Sequence, residues 1–297
     1  MLQIKGVTKT FGEIRSLDQV SVTVGDGSIF GLIGSNGSGK STLLRVMCGI
    51  FAPDAGEVLY DGQPVWENPA CKAEIVYLSD EQYFLPASTL NEMRGLYSAF
   101  YPHFDEALYC RLCDLFGLDD RRRLSTFSKG MKKQAAVVLA LAARPRYLLC
   151  DETFDGLDPV MRQLFKRLLA DAVAERGMSA VVASHNLGEI EDICDHVALL
   201  HRSQLVFARE LDDLREGLHT CQAVFDGAFD PAVLGLEVVR CSQRASLVTM
   251  VVRGSRDAIE TAVRAAGAQF CELIPLTLEE IFISEMEERG YDYTSLI

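Results

Sequence analysis

Short apolar runs and stretches with helical spacing alternate along the first two thirds of this chain. Ser28 to Ile33 is an apolar run of strand length. From Ser41 the period changes, and Leu43, Leu44, Met47 and Cys48 fall on one helix face. Upstream, Leu2, Ile4 and Val7 flank charges, and Val20, Val22 and Val24 alternate with Ser21 and Thr23. This predicts β-rich structure over residues 1–27, with a turn at Phe11-Gly12. Downstream, Glu57 to Tyr60 reads as a strand, Asp61-Gly62 as a hairpin turn, and Ala73 to Leu78 as a further strand.

Between Leu90 and Leu124 the spacing is helical, with a break at Pro102. A helical insertion beside the sheet is expected, at about 88–130. A strongly apolar helix then runs to Ala143. Tyr147 to Cys150 is a strand ending in Asp151-Glu152, and Ala180 to Ala183 is a strand ending in Ser184-His185. Helices over 159–176 and 187–194 and strands over 196–200 and 205–207 complete an α/β alternation across residues 1–216. After Gly217 the character shifts. Strands over 223–225, 236–239 and 247–252, a stripe of Ala258, Ile259, Ala262, Val263 and Ala266, and a capping box at Thr277 to Glu280 predict a small α+β domain over 217–297.

The turn between the strand at 28–33 and its helix carries the first chemistry. Gly34-Ser35-Asn36-Gly37-Ser38-Gly39-Lys40-Ser41 fits G-x-x-x-x-G-K-[ST]. The glycines free the backbone to turn its amides inward, and the helix N-terminus adds partial positive charge, so the loop suits phosphate. Lys40 can reach β- and γ-phosphate oxygens, the Ser41 hydroxyl can ligate Mg²⁺, and Thr42 stands where it can bond an α-phosphate. A dinucleotide fold is disfavoured, because no G-x-G-x-x-G is present here.

The strand at 147–150 delivers a carboxylate to a sheet's C-terminal edge, where open α/β sheets bind ligands. Asp151 would hold Mg²⁺ and Glu152 would orient and deprotonate an attacking water, which is what phosphoryl transfer requires.

Composition narrows the partners. A net charge of −13 argues against nucleic acid, which needs a basic surface. The nine cysteines are irregularly spaced, and the one close pair, Cys110 and Cys113, has no second pair or histidine cluster near it, so reduced thiols of a cytosolic protein are expected. The longest uncharged apolar run, Ala135 to Ala143, is too short to cross a bilayer. Any membrane role is expected to be peripheral, on the cytoplasmic face, through another subunit.

Taken together these stretches resemble the nucleotide-binding subunit of ABC transporters over about residues 1–215. The resemblance implies a P-loop NTPase with a β-rich N-terminal subdomain and a helical subdomain. Residues 34–42 resemble the Walker A loop and 147–152 the Walker B strand. Phe11 stands where the family places an aromatic that stacks on adenine. Ser128-Lys129-Gly130-Met131-Lys132 resembles the signature stretch, which binds the γ-phosphate of ATP held by a partner subunit. Gly156-Leu157-Asp158-Pro159 resembles the D-loop, and His185 the switch histidine. The resemblance implies ATP and Mg²⁺ as cofactors, a head-to-tail homodimer or heterodimer, and transmembrane permease subunits docking near residues 83–101.

One position departs from the family. By register Asp80 stands where a glutamine touches Mg²⁺ and the attacking water, and Gln82 lies two residues late. Asp80 is expected to take that role as a metal ligand. The segment after Gly217 looks like the C-terminal extension of drug-exporting ATPases, which implies export. Three other functions stand beside this one: a soluble ABC-type ATPase working on a macromolecule, a nucleotide-gated regulatory module, and a small-molecule P-loop kinase. The first is disfavoured by the acidic charge and by the absence of long heptad runs, and the last leaves Ser128, Gly130 and His185 unexplained.

Overall fold

A computed structural model describes residues 1–216 and 218–288. Gly217, where the sequence changes character, and residues 289–297 lie outside the described residues. The chain divides into two compact units, Met1–Ala208 and the part from Arg209 onward.

The first unit opens with β1 (Leu2–Phe11) and β2 (Ile14–Val24), then β3 (Ile29–Ile33) and α1 (Lys40–Met47). The chain continues through β4 (Ala55–Tyr60), β5 (Gln63–Pro64), α2 (Pro69–Lys72) and β6 (Ile75–Leu78). The helical insertion follows as α3 (Leu90–Phe100) and α4 (Glu106–Phe116), leading into α5 (Lys129–Ala142). Then come β7 (Tyr147–Asp151), α6 (Pro159–Arg176), β8 (Ser179–Ala183), α7 (Leu187–Glu191), β9 (His196–His201) and β10 (Gln204–Glu210).

Two sheets form. One has the order β2-β1-β4-β5 and is antiparallel throughout. The other has the order β10-β9-β3-β8-β7-β6, with β9, β3, β8, β7 and β6 parallel neighbours. Parallel strands buried on both faces read as continuous apolar runs. All five residues of each of β3, β7 and β8 are buried. The apolar face of α1 (Leu43, Leu44, Met47) shares one core with Val20 and Val24 of β2 and with Phe30, Leu32 and Leu149 of the parallel sheet. That core fixes α1 over the sheet and therefore fixes the glycine loop above the ends of the strands. Parallel direction has a functional consequence. The C-terminal ends of β3, β6, β7 and β8 meet on one edge, bringing the loops that begin at Gly34, Ser79, Glu152 and Ser184 together.

Helix limits follow local chemistry. Thr89 and Glu92 form a reciprocal capping box at the start of α3, Ser128 caps α5, Asp158 caps α6 with Pro159 in its first turn, and Gly177 closes α6 in the left-handed region. The helix expected over 187–194 stops at Glu191, because the chain turns there to enter β9.

The second unit comprises α8 (Leu211–Glu216), β11 (Leu218–Val224), β12 (Glu237–Arg244), β13 (Leu247–Arg253), α9 (Arg256–Ala265), β14 (Phe270–Pro275) and α10 (Leu278–Glu288). Its antiparallel sheet has the order β12-β13-β11-β14. Ile259 and Val263 of α9 pack on Cys221, Ala223, Val248, Met250, Val252 and Leu273. β12 is twice as long as its apolar stretch predicts. Residues 240–244 are exposed and carry no alternation, yet they stay on the ladder with β13. The capping box is present: Thr277 N–H donates to Glu280 Oε2 at 2.9 Å and Glu280 N–H to Thr277 Oγ1 at 3.2 Å.

Candidate active site

The loop after β3 is shaped by close contacts as well as by dihedral angles. A Cβ on Gly34 would lie 2.2 Å from the Leu200 carbonyl oxygen, and one on Gly39 2.4 Å from that of Ser16. Both positions have positive φ, so only glycine fits. Gly39 begins α1 with no side-chain cap, which leaves first-turn amides open to an anion. Ser35 and Asn36 are exposed on the rim of the loop. Ser38 Oγ is buried and has no hydrogen-bond partner. Thr42 Oγ1 accepts a hydrogen bond from Ser16 Oγ at 2.8 Å.

Lys40 is buried, and its ammonium folds back over the loop. Nζ donates to the Gly34 carbonyl at 2.7 Å and to that of Ser35 at 3.3 Å. It also lies 3.8 Å from Glu152 Oε1. Burial pushes the Lys40 pKa down, while the Glu152 and Asp151 carboxylates pull it back up.

Asp151, at the end of β7, is buried with both oxygens engaged. Ser41 Oγ donates to Oδ1 at 2.9 Å and the Tyr77 hydroxyl donates to Oδ2 at 2.8 Å. A hydroxyl and a buried carboxylate converging under a loop of open amides form a hard-oxygen donor set, which fits Mg²⁺. Ser41 and Asp151 would hold that ion.

Glu152 has φ of 47°, the left-handed region, which costs a non-glycine residue about 1–3 kcal/mol. Its N–H donates to the Ala183 carbonyl at 2.9 Å and its carbonyl accepts from Lys133 Nζ at 3.0 Å. The bend aims its carboxylate across the strand ends toward His185, whose Nδ1 is 2.9 Å from Oε2. Asp155 Oδ2 lies 4.0 Å from the same nitrogen. Glu152, Asp155 and His185 are the carboxylate–histidine cluster that the described residues gather.

The other expected positions are not members of this cluster. Phe11 is 43% exposed, meets Phe51 edge-on at 5.3 Å, and has the Lys9 ammonium over its ring, 5.5 Å from the centroid. Ser128 Oγ accepts from Met131 N–H at 3.2 Å, and Ser128 is exposed at the N-terminus of α5, with Gly130 and Met131 half-buried. A Cβ on Gly130 would come 3.3 Å from the Gly156 carbonyl, so this corner abuts the D-loop of its own chain. Asp158 Oδ1 accepts from the amides of Val160 and Met161, both at 3.0 Å. Asp80 meets an ammonium: its Oδ1 lies 3.2 Å from Lys133 Nζ.

Several contributors were not singled out by the sequence. Tyr77 was read only as part of an apolar strand. Lys133 falls on the buried stripe of α5 with Val137 and Ala140, an anomaly that spacing reveals. Arg162 and Glu189 pair at 3.0 Å, and Ser184 Oγ donates to the other Glu189 oxygen at 3.2 Å. Together with Lys166 and Asp192 at 2.8 Å, they tie the helix after the D-loop to the helix after His185.

A family model described as ABC transporter matches residues 17–155. The ABC transporter ATP-binding protein YtrB of Bacillus subtilis is 31% identical over 285 residues, covering 96% of this chain and 98% of YtrB. The chain belongs to the ABC transporter ATP-binding proteins. Its fold is the P-loop ATPase cassette of that family. A solved ATP-binding subunit of an ABC transporter superposes with a TM-score of 0.68 at 28% identity, covering 72% of this chain and 92% of that one. The ribose import ATP-binding protein RbsA of Pseudomonas putida is 35% identical over 217 residues, which is 69% of this chain and 42% of RbsA. YtrB is thus matched through the second unit, whereas RbsA is matched over little more than the length of the first.

Proposed function

We propose that this ABC transporter subunit hydrolyses Mg-ATP at a site shared between two ATPase subunits and powers export through separate membrane subunits. The observation that carries the reading is the division of labour within one chain. Lys40, Ser41, Asp151, Glu152 and His185 converge at one edge of the parallel sheet, while Ser128 is exposed at the start of α5, with Gly130 and Met131 half-buried behind it.

The Walker A amides and Lys40 grip the β- and γ-phosphates. Lys40 adds a mobile positive charge in a site of low dielectric, where it counts for more than in water. Ser41 and Asp151 would hold Mg²⁺, which would supply positive charge against the phosphates. Glu152 takes the proton of the attacking water, and His185, anchored to Glu152, contacts the γ-phosphate side. Ser128 and Gly130 of the second subunit close the site and exclude water. Phe11 stacks on the adenine, and Asp158 belongs to the D-loop between the two sites.

Among the described residues no helix is long and apolar enough to cross a membrane. Force therefore passes through a contact. Tyr83 is 78% exposed and Leu85 47%, beside a cavity of about 240 Å³ lined by residues 82–87, Leu124, Ser125 and Lys132. An apolar patch of this kind at the edge of the helical insertion suits a helix of a permease subunit. Export is the direction implied by the resemblance of the segment after Gly217 to the C-terminal extension of drug-exporting ATPases.

Co-purification from membranes tests the coupling. The tagged chain brings down an integral membrane protein, and Tyr83→Asp with Leu85→Asp reduces recovery by about tenfold or more, as loss of a central apolar anchor does. Full recovery with both substitutions removes this surface from the account.

A further inference from the structure

A lysine with 1% exposure needs a reason. The Lys133 stem lies along the buried face of α5, and its ammonium has two oxygen partners from different elements. One is Asp80 Oδ1 at 3.2 Å, in the loop after β6; the other is the main-chain carbonyl of Glu152 at 3.0 Å, in the loop after β7. The second contact falls on a residue whose backbone is strained, with φ of 47°. Among the described residues, two groups outside its own turn bond its main chain: the Ala183 carbonyl on the Glu152 N–H and Lys133 on the Glu152 carbonyl.

Asp80 itself is half-exposed. Its loop is closed on itself by Ser79 Oγ donating to the Glu81 carbonyl at 2.5 Å and by Gln82 Nε2 donating to the Ser79 carbonyl. These bonds tie residues 79–82 together, and the loop runs directly into the exposed Tyr83 and Leu85. A buried ammonium that loses its carboxylate is strongly disfavoured, whereas removing both members of such a pair is far better tolerated.

We infer that Lys133 is a positioning residue that clamps Glu152 through its main-chain carbonyl, and that Asp80 is the counter-ion keeping Lys133 in place. Displacing the 79–85 loop draws Asp80 away, loosens the clamp and lowers hydrolysis. Asp80 then acts through a charge pair and not as a ligand of Mg²⁺. The inference rests on the reading of Glu152 as the hydrolytic carboxylate.

The test uses the full chain in four forms: wild type, Asp80→Asn, Lys133→Gln and the double variant. Three quantities are read: kcat and KM for Mg-ATP, the Mg²⁺ concentration for half-maximal rate, and hydrogen exchange of a peptide spanning 152–158 without nucleotide. Each single variant lowers kcat about tenfold, as misplacing a general base does. KM and the Mg²⁺ requirement stay within about twofold, since neither residue touches phosphate or metal. Exchange at 152–158 accelerates in both. The double variant loses no more than the worse single variant, because both act through one contact. Lys133→Arg recovers part of the rate. Asp80→Asn, on a half-exposed residue, carries the test if Lys133→Gln does not fold. Additive losses, unchanged exchange, or an Asp80→Asn protein that needs more Mg²⁺ at unchanged maximal rate each overturn the inference alone. A wild-type chain that binds Mg-ATP without hydrolysing it removes the Glu152 reading and this inference with it.

Discussion

Glu152→Gln abolishes turnover by about three orders of magnitude while leaving nucleotide bound, within the usual range for removing a general base. Gln has nearly the same shape, so the backbone bend and the approach to His185 at 2.9 Å survive. What disappears is the group that takes the water's proton. A negative charge 3.8 Å from Lys40 disappears as well. Less negative charge then opposes the γ-phosphate, so binding tightens as catalysis fails. The same protein elutes as a dimer in Mg-ATP, because opening follows hydrolysis. Single-turnover phosphate release and gel filtration measure the two effects. A loss of only a few-fold moves the base elsewhere, and Asp155, 4.0 Å from His185, is the nearest other carboxylate to it.

Lys40→Ala removes nucleotide binding itself. Its ammonium bridges the Gly34 and Ser35 carbonyls within the loop, a position from which it can turn to phosphate oxygens. Two charge-assisted hydrogen bonds of about 1.5–3 kcal/mol each put the loss at roughly 10²- to 10⁴-fold in Kd. Lys40→Arg restores little, because the buried slot that takes a slender ammonium does not take a planar guanidinium. Titration with a fluorescent ATP analogue measures this, and a Kd within threefold of wild type rules out the assignment.

The first unit was legible in the sequence because its strands are buried on both faces and its loops follow spacing rules. An apolar run such as 147–150 ending in two acids can be read as a strand that delivers a carboxylate to an edge. The glycine loop can be read because Gly34 and Gly39 are demanded by backbone contacts at 2.2 and 2.4 Å. Side-chain partnerships across elements were not legible. Asp80 and Lys133 lie 53 residues apart and Tyr77 and Asp151 74, and nothing local couples them. Asp80 was expected on the metal and instead meets an ammonium, which periodicity within either element does not foretell. In the second unit, β14 and the second half of β12 escaped notice for another reason. Their exposed or half-exposed residues carry weak alternation, and backbone pairing with β13 and β11 organises them.

The shared site is tested most directly by mixing two inactive proteins. Lys40→Ala lacks the phosphate lysine, and Ser128→Arg blocks the corner at the start of α5. In a mixed dimer one site carries both defects and the other carries neither. An equimolar mixture is expected to recover roughly a quarter of the wild-type ATPase rate, half the dimers each having one intact site. A mixture that stays at the level of its two inactive components contradicts the composite site.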